Sequence, residues 1–251
     1  MSIWVTGDIH GDPRRFNTGC FPEQKEMTKD DYVIILGDFG LVWDYEGESK
    51  SEEWWLDWLE ERPFTTLFID GNHENHVRLA EYPEVEFCGG KVNAIRPSVL
   101  HLKRGEIFTL YDKKFFTFGG ASSHDIDDGI LDPEKDAEKI KLWNMDYNKL
   151  FRVNGRSWWK EELPMTLEME YGDRNLSSHN NKVDFVLSHC APASTVAVIG
   201  RGMYDQDVLT RYLEEIKHKI EYDKWFFGHY HMNKQINEKE IVLYEQIVRI
   251  V

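Results

Sequence analysis

A layered α/β domain is the fold this sequence predicts, and two features predict it. Short apolar runs recur along the chain, each closed by Gly, Asp, Asn or His, and segments with helical apolar spacing lie between them. Runs of three to five residues rich in β-branched and aromatic side chains fit buried strands, and strands that alternate with helices pack as layers.

The elements follow in chain order. Ser2–Thr6 runs into Gly7-Asp8, and Tyr32–Leu36 into Gly37-Asp38. Ser51–Glu61 places Trp55, Trp58 and Leu59 on one helical face with acids opposite. Thr66–Ile69 runs into Asp70-Gly71-Asn72-His73. The strand-rich stretch Val99–Gly119 predicts a second sheet. Val183–Leu187 runs into Ser188-His189, Asp205–Lys219 repeats the helical spacing through Val208, Leu209, Tyr212, Leu213 and Ile216, and Trp225–Phe227 runs into Gly228-His229. Two regions read as peripheral additions to a single domain spanning 1–251. Ser123–Pro164 is charged, with Asp125, Asp127, Asp128, Trp143, Trp158 and Trp159; Glu168–Asn181 is polar and reads as a surface loop or insertion.

Composition narrows the function classes. A chain of 251 residues, 41% hydrophobic and 14% aromatic, has enough apolar material for one large core, which argues against disorder. A formal net charge of −15 repels phosphate backbones, so general nucleic-acid or anionic-membrane binding is disfavoured. An anionic substrate stays open, because bound cations reverse the local field. Cys20, Cys88 and Cys190 form no CxxC pair, so neither a cysteine zinc site nor a disulfide framework is expected, in keeping with a reducing compartment. No apolar stretch approaches the ~20 residues of a membrane span. The first residues read as a strand rather than a basic leader with an apolar core, so the expected location is the cytoplasm.

The strand ends carry the chemistry. Ligands in open α/β sheets bind at the carboxyl ends of strands. In extended chain, residues two apart share a side, so Asp8 and His10 are expected to share one metal ion, and His229 and His231 have the same spacing. Asp38 offers two oxygens to bridge two cations, Asn72 a neutral amide oxygen, and His189 a further imidazole. Mixed N and O donors without thiolate suit Mn, Zn or Fe. Two such ions about 3.5–4 Å apart can clamp a phosphoryl group, and His73 stands where it could protonate a leaving oxygen.

The blocks Gly7-Asp8-Ile9-His10-Gly11, Gly37-Asp38, Gly71-Asn72-His73-Glu74, Ser188-His189 and Gly228-His229-Tyr230-His231 resemble, in order, those of the calcineurin-like metallophosphoesterase superfamily. The resemblance implies a four-layer αββα sandwich of two mixed sheets flanked by helices, and a phosphate-ester substrate hydrolysed by hydroxide formed at a dimetal centre. It assigns Asp8, His10, Asp38 and His231 to one ion, Asp38, Asn72, His189 and His229 to the other, and the acid role to His73. One block departs. The protein Ser/Thr phosphatase branch reads GDxxDRG, whereas here Leu41 replaces the acid that orients the histidine and Val42 the arginine that grips phosphate. Arg14, Arg15 and Arg201 are candidates for the missing arginine, and Asp44 and Asp70 for the missing acid. Gly119-Gly120-Ala121-Ser122-Ser123-His124-Asp125 and Gly155-Arg156-Ser157-Trp158-Trp159 resemble blocks of bacterial and phage metallophosphoesterases, which adds His124 as a candidate substrate contact.

The expected function is a phosphomonoesterase acting on a phosphoprotein or small metabolite. The alternatives are a phosphodiesterase or nucleotide hydrolase, and a scaffold that has lost its chemistry. Ordinary readings hold elsewhere. His76, His101, His179 and His218 are expected to be hydrogen-bonded or surface residues, Trp54, Trp55 and Trp58 packing, Cys190 a small buried residue, and Glu52-Glu53 and Glu60-Glu61 solvated faces.

Overall fold

A computed structural model describes residues 1–201 and 204–251. The strands are β1 (Ile3–Thr6), β2 (Tyr32–Leu36), β3 (Thr65–Ile69), β4 (Glu84–Phe87), β5 (Gly90–Arg96), β6 (Val99–Leu102), β7 (Ile107–Leu110), β8 (Lys113–Phe118), β9 (Gly129–Leu131), β10 (Phe151–Val153), β11 (Phe185–Ser188), β12 (Lys224–Phe227), β13 (Lys234–Gln235), β14 (Glu240–Val242) and β15 (Val248–Arg249). The helices are α1 (Lys50–Glu60), α2 (His76–Glu81), α3 (Ala137–Trp143), α4 (Thr166–Ser178), α5 (Ala193–Gly200) and α6 (Val208–Lys219).

Two mixed sheets result. The first runs β15-β1-β2-β3-β6-β5-β4 and the second β13-β14-β12-β11-β8-β7. Neighbours among β1, β2, β3 and β6 are parallel, as are those among β14, β12, β11 and β8, with antiparallel strands at the edges. The Val99–Gly119 stretch divides between the sheets: β6 closes a crossover in the first, and β7 and β8 start the second.

Side-chain alternation builds the layers. Along β2, Ile34 and Leu36 face Phe115, Phe185, Leu187 and Phe226 of the second sheet, whereas Val33 and Ile35 face Leu56, Leu59 and Phe64 on the α1 side. Along β8, Phe115 enters the inter-sheet core and Phe116 and Phe118 pack against Leu209, Tyr212, Leu213 and Ile216 of α6. Three apolar interfaces thus separate four layers, helix, sheet, sheet and helix. Full burial of each such aliphatic or aromatic side chain contributes about 1.5–3 kcal/mol, an upper estimate.

Three expectations need correction. Residues 168–181 are not a loop: most of them lie in α4, whose Leu176 is buried and whose Asn175 donates to Gly105 O at 2.8 Å. Its polar composition hides a narrow apolar stripe. Glu52 is not solvated. It closes a capping box with Ser49, is buried, pairs with Arg78 at 3.1 Å, and accepts from the backbone N–H groups of Trp43 and Asp44 at 2.6 and 2.9 Å. Trp55 and Trp58 pack against the core on the α1 side, but Trp54 is exposed. Cys190 is buried, and its thiol is pushed up to about 12 by that burial. No helix among the described residues is long and apolar enough to cross a membrane.

Candidate metal centre

The seven expected donors lie in the turns that follow β1, β2, β3, β11 and β12. Those strands belong to both sheets, so the site sits where the two carboxyl edges meet. Among the described residues, three groups bring one donor atom each to within 4.8 Å of the others: Asp8, His10 and His231; His10, Asp38 and His73; and Asp38, His189 and His229. The groups share His10 and Asp38, so they form one continuous cluster. Asn72 stands beside it, its N–H donating to Asp38 Oδ1 at 2.9 Å.

The extended-chain argument for the two-residue spacing does not hold. β1 ends at Thr6 and β12 at Phe227, before the donors begin. His10, Asp38, His229 and His231 instead adopt left-handed backbone, with φ of 46°, 46°, 67° and 45°. Non-glycine residues rarely do so, and such strain gathers at functional sites. These turns send His229 and His231 to different groups, with His229 beside His189 and His231 beside Asp8. Gly37 shows the crowding: at φ +90°, an added Cβ would lie 2.2 Å from His189 Nδ1.

Hydrogen bonds set the donors' directions. His189 Nδ1 donates to Leu36 O at 2.6 Å, which turns Nε2 toward Asp38 Oδ1, 3.2 Å away; against the burial that would lower it, Asp38 and Asp8 raise the ring to about 10, so a cation bound at Nε2 would take the place of a proton. Asp38 Oδ1 accepts from the backbone of Asn72 and His73, both at 2.9 Å, and Asp8 Oδ1 accepts from His229 N at 3.0 Å. Among the described residues eleven buried side-chain polar atoms make no hydrogen bond, and three of them gather here on expected ligands: Asn72 Oδ1, Asp8 Oδ2, which lies 3.2 Å from His231 Nε2, and His189 Nε2. Leaving such an atom unpaired costs about 1–3 kcal/mol. Two oxygens and an imidazole nitrogen without hydrogen bonds at one place, with a proton there that a cation can replace, fit cations. Burial alone would raise Asp38, yet the protonated His189 ring beside it holds it well below the usual carboxylate range. Burial, with His189 close by, pushes His229 down to about 3, so its ring is neutral and able to ligate.

A family model described as calcineurin-like phosphoesterase matches residues 1–233. The chain belongs to that family. It is therefore a metal-dependent hydrolase of phosphate esters. A comparison with curated proteins gave no match.

In this phosphoesterase the departure in the second block has a clear physical form. Leu41 and Val42 are buried in the α1-side core with Phe39 and Phe68. The next residue, Trp43, stacks on the His73 ring at 5.3 Å. Arg152, whose guanidinium carbon lies 5.9 Å from the centre of the Trp43 ring, donates from Nη2 to His73 Nε2 at 2.9 Å. Sequence reasoning missed Arg152, which lies 79 residues from its partner; the only signal was its place between the two secondary blocks.

The remaining candidates stand elsewhere. Arg14 is exposed and paired with Asp12. Arg15 donates to the carbonyls of Asp8 and Tyr244 at 2.7 and 2.5 Å, so it braces the first ligand turn from behind. Arg201 is the exposed, left-handed C-cap of α5. Asp44 accepts from Glu46 N, and Asp70 from His101 and Arg104; neither carboxylate reaches His73. His124 lies edge-on to His229 at 5.7 Å and lines, with Ser122, Asp127, Asp205 and Asp207, a cavity of about 380 Å³. His101 and His179 are hydrogen-bonded and His218 pairs with Glu214, in line with their ordinary reading; His76 departs from it, being buried with Nδ1 3.9 Å from Asp70 and Nε2 without a hydrogen-bond partner.

Proposed function

We propose that the whole chain is one catalytic domain that hydrolyses a phosphomonoester at two metal ions, on a phosphoprotein or a small metabolite. The carrying observation is the trio of unpaired buried atoms, Asp8 Oδ2, Asn72 Oδ1 and His189 Nε2, within one cluster of donors. On this reading Asp8, His10, Asp38 and His231 would hold one ion, and Asp38, Asn72, His189 and His229 the other. Mn, Zn and Fe all suit these donors, and the fully buried parts of the cluster lie in a dry, low-dielectric setting. When bound, the ions polarise the phosphoryl group and make water acidic enough to supply the nucleophile.

The chain's own groups do the rest. Asp38 Oδ1, fixed by the N–H groups of Asn72 and His73, keeps the donors of β2 and β3 in register. His73 lies within reach of a phosphoryl group on the cluster. Burial pushes it down to about 4, against the pull of Asp38, so its ring is neutral and serves as hydrogen-bond partner to the leaving oxygen. The similarity of the first and third blocks to the Ser/Thr phosphatases favours a monoester, and the secondary blocks favour kinship with the bacterial and phage members. The second reading, a phosphodiesterase or nucleotide hydrolase, draws on the apolar Leu41 and Val42.

The test compares p-nitrophenyl phosphate with bis-p-nitrophenyl phosphate under added Mn, Zn, Fe or Mg, with metal content measured on the same samples. Faster monoester turnover is expected. Asp38→Asn and His189→Ala should each lower turnover by orders of magnitude with the fold retained, and His73→Ala should lower rate more than metal content. Diester preference would transfer the assignment to the second reading. Absence of both metal and turnover would leave only the scaffold.

A further inference from the structure

We propose that Arg152 grips the phosphoryl group, in place of the arginine that Val42 has displaced; this rests on the phosphomonoesterase reading above.

Arg152 is a guanidinium with only 4% of its surface exposed, at the edge of the donor cluster. Burying a cation is costly unless it is paired, and its one carboxylate partner, Asp125 Oδ1 at 2.7 Å from Nε, is itself 44% exposed. Its donors can be counted. Nε–H goes to Asp125, the two Nη1–H groups to Asn72 O at 3.3 Å and Ser157 O at 3.2 Å, and one Nη2–H to His73 Nε2 at 2.9 Å. A guanidinium has five N–H groups, so one on Nη2 has no protein acceptor among these contacts. Nη2 is the nitrogen on the His73 side, toward the donor cluster. An arginine cannot give up its charge, and its planar fork suits phosphoryl oxygens. A monoester dianion bound beside it would take the fifth N–H and neutralise the buried charge.

The segment carrying Arg152 is built to hold it still, and both secondary sequence blocks serve that end. Gly120, at φ +92°, donates its N–H to Asp70 O at 2.8 Å, and an added Cβ would meet Glu162 O at 2.5 Å. Ser123 donates through N and Oγ to the Glu162 carboxylate at 2.8 and 2.6 Å. Two residues on, Asp125 takes Arg152. At the other end, Ser157 Oγ accepts from Val153 N at 2.9 Å, and Trp159 packs edge-on against Trp43, the ring that stacks on His73. Between them β10 pairs with β9, Arg152 opposite Ile130. Other arginines near the site are committed: Arg14 to Asp12, Arg15 to backbone carbonyls, Arg78 to Glu52 and Arg104 to Asp70.

The experiment measures inhibition by inorganic phosphate, with kcat and KM for p-nitrophenyl phosphate, in metal-loaded wild type, Arg152→Ala, Arg152→Gln and Arg152→Lys. Wild-type turnover is established first; without it the phosphomonoesterase reading fails, before Arg152 is tested. Arg152→Ala should raise the phosphate inhibition constant at least about tenfold and lower kcat/KM about 100- to 1,000-fold, the range for losing one charged donor to a reacting oxygen. Metal content should be unchanged, Arg152→Lys should recover part of the loss, and millimolar guanidinium should recover part in Arg152→Ala. If Arg152→Ala does not fold, the neutral Arg152→Gln of similar length decides on the same constant. A phosphate inhibition constant within twofold of wild type, even with kcat reduced, would mean that Arg152 only positions His73, and the proposal would be wrong.

Discussion

Arg104→Ala tests how the core supports the candidate metal-binding loops. Arg104 and Asp70 are both buried, with side chains 6% and 2% exposed. Arg104 donates to Asp70 Oδ2 from Nε at 2.8 Å and from Nη2 at 2.5 Å, and Nη2 also reaches Glu161 O and Glu162 O at 2.9 and 3.3 Å. One guanidinium therefore ties the end of β3, just before the Gly71–His73 turn, to the last residues of the segment that carries Arg152. Truncation leaves the Asp70 carboxylate with His101 Nε2 at 3.2 Å as its remaining close side-chain donor. Removing one partner of a buried pair costs about 3–5 kcal/mol. In a chain of this size each kcal/mol shifts Tm by about 2–4 °C, so the expected drop is about 6–20 °C. Thermal unfolding is measured with chelator present, so metal affinity does not contribute. Asp70→Asn is compared alone and in the Arg104→Ala background. Because the second change neutralises the orphaned carboxylate, the double variant should lose less than the sum of the singles, by about 0.5–3 kcal/mol. Strict additivity, or an Arg104→Ala drop below about 3 °C, would falsify the reasoning.

Two further outcomes follow from the site. Val42→Arg, which restores the residue of the related Ser/Thr phosphatase motif, should not raise activity. Val42 is fully buried among apolar side chains, so an unpaired cation there should cost more than about 3 kcal/mol and lower the urea midpoint; a folded variant with increased turnover refutes this. Saturating the donor cluster with Mn or Zn at about 100 times the dissociation constant should stabilise by about 2.7 kcal/mol, a Tm gain of about 5–11 °C lost on adding chelator. An unchanged Tm with both metals is the contrary result, read by scanning fluorimetry.

Much of the site is visible in the sequence because its donors follow strands directly. Val33–Leu36 is apolar on both faces, so it must be covered on both sides, and the first polar residue after such a strand emerges at the sheet edge. Local chemistry thus reveals Asp8, Asp38, His189 and His229; after β3 the first polar residue is Asp70, which pairs with Arg104, and Asn72 follows two residues on. What pairs across the chain is hidden. Arg152 meets Asp125, His73 and Asn72 at separations of 27, 79 and 80 residues, and no local pattern encodes those contacts. Glu52 looks like any acid on an exposed helix until its capping geometry and Arg78 bury it. The left-handed turn at His10 is hidden for another reason. No glycine marks that position, and the conformation is held by the His10 and Gly11 N–H groups donating to Asp38 O and Phe39 O at 2.8 and 2.9 Å.

The final strand has a consequence for the order of assembly. β15 pairs with β1, Tyr244 O accepts from Gly7 N at 3.1 Å and from Arg15, and the Tyr244 ring stacks on His231 at 4.5 Å. All seven donors precede these residues, so a growing chain carries every ligand before it can make the contacts that close the first turn. Domains emerging from the ribosome tend to fold from the N-terminus onward. Here β1 waits for β15, and the first ligand turn closes only after all the candidate donors have emerged.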